Sequence, residues 1–65
     1  MRTEILKYRR MKGLSQQQLA DDVGVSRQTI VSLEKERYVA SLTLAYKISK
    51  YFGYSIEEIF HMEEE

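Results

Sequence analysis

The sequence contains no cysteine, no proline and no tryptophan, and only one histidine. Without cysteine a disulfide is excluded. His61 alone supplies too few soft ligands for a structural zinc site, so it is expected at a surface or an interface, and no metal is expected. No apolar run is long enough to span a bilayer. The N-terminal residues lack the apolar centre of a signal peptide, so the expectation is a cytoplasmic protein with no membrane association. The chain also lacks facing carboxylate pairs, a nucleophile–base set and a glycine-rich phosphate loop. That argues against an enzyme and against any cofactor or small-molecule ligand. At 65 residues the chain makes one small domain, residues 1–65. A core of that size is marginal alone, and with disulfides and metals excluded, a second copy of the chain is the remaining source of stability.

Net charge is zero, but it is unevenly spread. Residues 1–56 carry all ten Lys and Arg and a balance of +5, whereas the last nine residues carry five glutamates. Basic residues at Arg2, Lys7, Arg9, Arg10, Lys12, Arg27, Lys35 and Arg37 suit an anionic partner. The acidic end, 61–65, is expected to lie away from such a partner.

Local signals predict five short helices. Thr3 is placed to cap the first, which carries Ile5, Leu6, Tyr8, Arg9 and Met11 and stops before Gly13. In "SQQQL", Ser15 with Gln18 forms a capping box for a second helix that ends near Gly24. Ser26 caps a third, running to about Lys35, and "KERYVAS" reads as a loop. Ser41 caps a fourth, with Leu42, Ala45, Ile48, Ser49 and Phe52 expected on one face and Gly53 at its end. Ser55 with Glu58 opens a last helix through Phe60. The closing "HMEEE" reads either as a frayed tail or as a brief strand with Phe60 and Met62 on one side. The fold class is therefore all-α, with a short C-terminal strand as a variant.

Residues 16–35 carry the most information. Two helices crossing at about 90–120° through a short turn bring their backbones close together. Ala20 provides a small side chain where they cross, and Gly24 supplies the positive φ that ends the first of them. Leu19, Val23, Ile30 and Leu33 are placed to fill the inner angle. The outer face of the third helix then shows Arg27, Gln28, Val31, Ser32 and Lys35. Arginine and glutamine are the side chains suited to bidentate contacts with guanine and adenine edges, so this helix is built to enter a DNA major groove.

"GLSQQQLADDVGVSRQTIVSLEKERY" and "SLTLAYKISKYFGYSIEEIF" resemble the lambda-repressor-like, XRE-type helix-turn-helix family, from about Ile5 to Phe60. The resemblance implies a five-helix DNA-binding domain and a homodimer that represses transcription at near-palindromic operators in double-stranded DNA. It implies base reading by Arg27, Gln28 and Ser32, and phosphate contacts from Gln16, Thr29, Arg37 and Tyr38. It also implies a structural ion pair between Arg9 and Glu34. In two places the chain departs from the family pattern: Glu36 stands where glycine is frequent and Ala40 where proline is. Either the loop takes another shape or the third helix continues past Lys35.

The C-terminal half carries Tyr46, Tyr51, Phe52, Tyr54, Phe60 and Met62, more aromatic and apolar surface than a small core hides. Tyr54, Phe60 and Met62 are the expected dimer contacts. Two other functions stay open: a DNA-binding antitoxin, which would co-purify with a second small protein, and an adaptor that has lost salt-sensitive DNA binding.

Overall fold

Four serines set the helical frame of the computed structural model, which describes residues 1–61. Ser15, Ser26, Ser41 and Ser55 each hold extended backbone angles, and each hydroxyl accepts from the N–H three residues on, at 3.0–3.2 Å. Each such cap satisfies an otherwise unpaired helix donor and contributes about 1 kcal/mol. At Ser15 and Ser55 the box is closed by Gln18 and Glu58, whose side chains accept from the serine N–H at 2.8 Å. The elements in chain order are β1 (Arg2–Thr3), α1 (Ile5–Met11), α2 (Gln16–Val23), α3 (Arg27–Glu34), α4 (Leu42–Phe52), α5 (Ile56–Ile59) and β2 (Phe60–His61).

One core joins all five helices. Ile5, Leu19, Ile30, Leu33, Ile48 and Ile59 are completely buried, one or two from each helix. Burying an aliphatic side chain of this size contributes roughly 1.5–3 kcal/mol, so the six dominate the cohesion of the fold. Ala20 is also fully buried, as its place at the crossing of α2 and α3 requires. Gly24 has φ +80°, and a Cβ there would meet nothing within 4 Å. Glycine is thus needed for the left-handed backbone that ends α2, not for close approach.

Several expectations need correction. Thr3 does not cap α1: the N-cap position is Glu4, without a side-chain cap, and Thr3 belongs to β1. Its hydroxyl instead faces the Leu33 carbonyl at 3.5 Å. Of the two alternatives for the closing residues, a strand is seen at Phe60–His61, and 62–65 lie outside the described residues. After Ile59 the backbone turns extended at Phe60 (φ −116°, ψ 125°), and β2 pairs antiparallel with β1 in the register Arg2↔His61, Thr3↔Phe60. The Glu4 N–H continues the ladder to the Ile59 carbonyl at 2.7 Å. On α4, Leu42 points outward, 78% exposed, and Leu44 takes the core position. The fold is therefore mostly helical with a small two-stranded sheet. Among the described residues, no helix is long and apolar enough to cross a membrane.

Candidate nucleic-acid interface

The corner between α2 and α3 turns one side of α3 inward and the other outward. Ile30 and Leu33 are fully buried, which leaves Arg27, Gln28 and Lys35 exposed and Val31 and Ser32 half-exposed on the opposite side. Arg27 and Gln28 occupy the first turn, immediately after the Ser26 cap. Thr29 is half-buried beside them, its hydroxyl 3.1 Å from that of Ser26.

Behind this face lies a polar network. Arg9 Nε donates to Glu34 Oε2 at 2.6 Å and Arg9 Nη2 to Glu34 Oε1 at 3.1 Å, a two-point ion pair whose side chains are only 12% and 7% exposed. Arg9 Nη1 donates to the Leu14 carbonyl at 2.8 Å, so the guanidinium also holds the α1–α2 loop. Gln16 Nε2 donates to Glu34 Oε1 at 3.0 Å, and Gln16 Oε1 accepts from Arg27 Nη1 at 3.4 Å. Gln16 and Arg27, predicted separately as phosphate and base contacts, are thus brought into direct contact. Nothing in the one-dimensional pattern linked them.

The loop after α3 resolves the two alternatives left by the sequence, and takes neither. The helix stops at Glu34, and Glu36 itself adopts the left-handed conformation, φ 61°. Glu36 N–H donates to the Leu33 carbonyl and Arg37 N–H to the Ser32 carbonyl, both at 3.0 Å, the paired bonds of a Schellman turn. The turn therefore forms without glycine, and Arg37 and Tyr38 stand exposed just beyond the end of α3.

Two of the three residues expected at a dimer contact are described. Phe60 is a core residue, 5% exposed, rather than an open surface contact. Tyr54 is exposed at its edge, but its ring stacks on Tyr8 with centroids 4.3 Å apart. Met62 lies outside the described residues. Sequence reasoning missed a groove of about 290 Å³ walled by Val39, Leu42, Ala45 and Ile56 with Phe60 at its side. Leu42 and Val39 stand 78% and 63% exposed along it. No local sequence signal marks Leu42 as the exposed residue, since Leu44 fits the core side of α4 equally well by type and ends up buried there.

A buried hydrophobic angle carrying an outward helix with arginine and glutamine at its tip defines a helix-turn-helix DNA-binding protein. The chain belongs to the helix-turn-helix family, which it matches over residues 5–59. It is 48% identical over its full length to an uncharacterized HTH-type transcriptional regulator of Methanocaldococcus jannaschii, of which it spans 98%. It is 45% identical to another, YgzD of Bacillus subtilis, again across the whole chain and 98% of the relative. Its fold is similar to the crystal structure of the restriction-modification controller protein C.AhdI from Aeromonas hydrophila, with a TM-score of 0.78 and 28% identity over 86% of this chain and 85% of that one. The protein is accordingly an HTH-type transcriptional regulator of the XRE kind, a family of regulators rather than of enzymes.

Proposed function

We propose that the protein is a cytoplasmic repressor that binds a near-palindromic operator as a homodimer, each α3 reading one half-site from the major groove. The observation that carries this reading is the polarity of α3: Ile30 and Leu33 are fully buried, while Arg27 and Gln28 stand exposed at its first turn. In this reading Arg27 contacts guanine, Gln28 contacts adenine, and Ser32 adds a contact one turn on. Gln16 at the start of α2, Thr29, and Arg37 and Tyr38 after α3 hold the flanking phosphates. All of these except the half-buried Gln16, Thr29 and Ser32 are exposed.

The reading takes a dimer because one short helix makes few base contacts, and two-fold symmetry doubles them. The groove beside Leu42 and Val39 is the face we assign to the second copy, since exposed aliphatic side chains of this size seek cover. Selection of bound sequences from a random DNA pool tests the whole reading. Enrichment of an inverted repeat with half-site centres about 34 Å apart, one turn of B-DNA, is expected. Enrichment of unpaired half-sites would exclude the dimeric operator, and a pool left unenriched would exclude sequence-specific binding.

A further inference from the structure

Arg9 ties one side of α1 to Glu34, while Tyr8, Met11 and Lys12 share another side by their spacing of three and four. With Phe52 and Tyr54, at and beyond the end of α4, they wall a groove of about 250 Å³. Its rings brace one another: Tyr8 stacks on Tyr54, and the Phe52 ring lies 6.0 Å from Tyr8 and 5.3 Å from Tyr51. Met11 stands 66% exposed at the edge, an adaptable side chain that can close over an occupant.

Both walls carry charge of one sign. Residues 5–15 hold Lys7, Arg9, Arg10 and Lys12, and residues 42–56 hold Lys47 and Lys50, with no Asp or Glu in either stretch. Glu34 neutralises Arg9. The Lys7 and Lys12 ammoniums instead lie 5.3 Å and 5.5 Å from the ring centroids of Tyr8 and Tyr51. Among the described residues neither meets a carboxylate. A cation over a ring keeps its charge, so both remain open to an anionic group.

We propose that this groove docks an acidic linear segment of another protein, seating one large apolar side chain among the rings while flanking carboxylates meet Lys7 and Lys12. The volume is below the roughly 300–1,000 Å³ of small-molecule pockets and suits a single side chain. Aromatic rings and methionine are the residues that concentrate in the centres of protein interfaces. Lysines without carboxylates around them select an acidic partner and repel a basic one. A second copy of this chain would have to join two different surfaces here, a contact that runs on into open chains rather than closing as a two-fold. A membrane calls for apolar side chains that project, whereas Tyr8 and Phe52 are half-buried.

The test titrates ¹⁵N-labelled protein with end-blocked peptides: Glu-Glu-Phe-Glu-Glu, Glu-Glu-Ala-Glu-Glu and Lys-Lys-Phe-Lys-Lys. The first should shift the amides of residues 7–12 and 52–54 and bind at least about tenfold tighter than the alanine peptide, the worth of one buried aromatic side chain. The lysine peptide should not bind. Lys7→Glu combined with Lys12→Glu, both on exposed positions, should exchange the preference, losing the acidic phenylalanine peptide and gaining the basic one. Loss of folding cannot produce that gain. No shift from Glu-Glu-Phe-Glu-Glu at millimolar concentration would overturn the proposal, as would equal binding of the alanine peptide or shifts centred outside the groove. Shifts of the same amides on dilution of the free protein would overturn it in favour of a second copy. Shifts with phosphatidylglycerol vesicles or oligothymidylate, and none with the peptide, would overturn it in favour of lipid or single-stranded nucleic acid.

Discussion

The backbone N–H of Thr3 donates to the carboxylate of Glu36 at 3.2 Å, so the first strand is tied to the residue that turns the chain away from α3. The positive φ of Glu36 costs about 1–2 kcal/mol of backbone strain, and a hydrogen bond of this kind offsets roughly 0.5–1.5 kcal/mol. Glu36→Ala keeps the strain and loses the bond, so it should destabilise by about 1 kcal/mol, or about 4–8 °C in Tm. Glu36→Gly loses both and should fall within about 0.5 kcal/mol of the parent. Thermal unfolding followed by circular dichroism ranks the three; Glu36→Ala at or above the parent would show that the Thr3 hydrogen bond contributes nothing.

The pair Arg9–Glu34 is nearly closed to water, and removing one partner leaves the other as an unpaired charge. Either Arg9→Ala or Glu34→Ala should cost about 3–5 kcal/mol, enough to unfold much of so small a domain. Replacing both with apolar residues of similar volume, Arg9→Met with Glu34→Leu, should recover most of that loss in urea titrations. Single variants as stable as the parent would mean that the pair is solvated in solution.

Tyr51 donates to Asp22 Oδ2 at 2.6 Å across the cleft between the end of α2 and α4. That bond first, then desolvation and the negative charge of Asp22, raises the phenol above its ordinary pKa of 10.0. A raised value means the folded state holds the proton more tightly than the unfolded chain. The resulting stabilisation is fully present below about pH 10 and fades as pH rises through the folded value. Phenolate absorbance should therefore show one tyrosine ionising later than the rest, and Tyr51→Phe should remove that late component. A late component that persists in Tyr51→Phe would assign it to another ring.

How much of this was legible from the residues alone depends on range. The serine caps and the left-handed glycines are decided within four residues, and they are read directly off Ser15, Ser26, Ser41, Ser55 and Gly24. The pairing of Arg2–Thr3 with Phe60–His61 joins opposite ends of the chain, and two-residue strands carry no periodic signal. Leu42 and Leu44 compete for one core position, and only the packing against α2 and α5 decides between them. Arg27 and Gln28 were legible because the α2–α3 angle leaves them no inward path. The hydrogen bond between Gln16 and Arg27 was not, because it spans a turn and depends on a carboxylate eighteen residues away from Gln16.

Side chains that touch bases and those that touch phosphates should fail differently on DNA. Gln28→Ala should cost about 1–3 kcal/mol and relax preference at one base pair. Arg37→Ala should weaken every sequence alike and flatten the dependence of log affinity on log salt by about 1 for each phosphate no longer neutralised. If the protein binds as the proposed dimer and each subunit neutralises about four phosphates, the slope should be near −7. Fluorescence anisotropy across a salt series measures all three, and a slope near zero would remove the electrostatic basis of the interface.

The surface that meets DNA is the central feature of the proposed function. Backbone amide shifts in ¹H–¹⁵N spectra, followed as the selected operator is titrated in, report that surface residue by residue. The largest changes should fall at Ser15–Gln16, Ser26–Ser32 and Lys35–Tyr38, with the aromatic face around Tyr8 and Tyr54 nearly still. Changes centred on that aromatic face, with Arg27 and Gln28 unmoved, would contradict it.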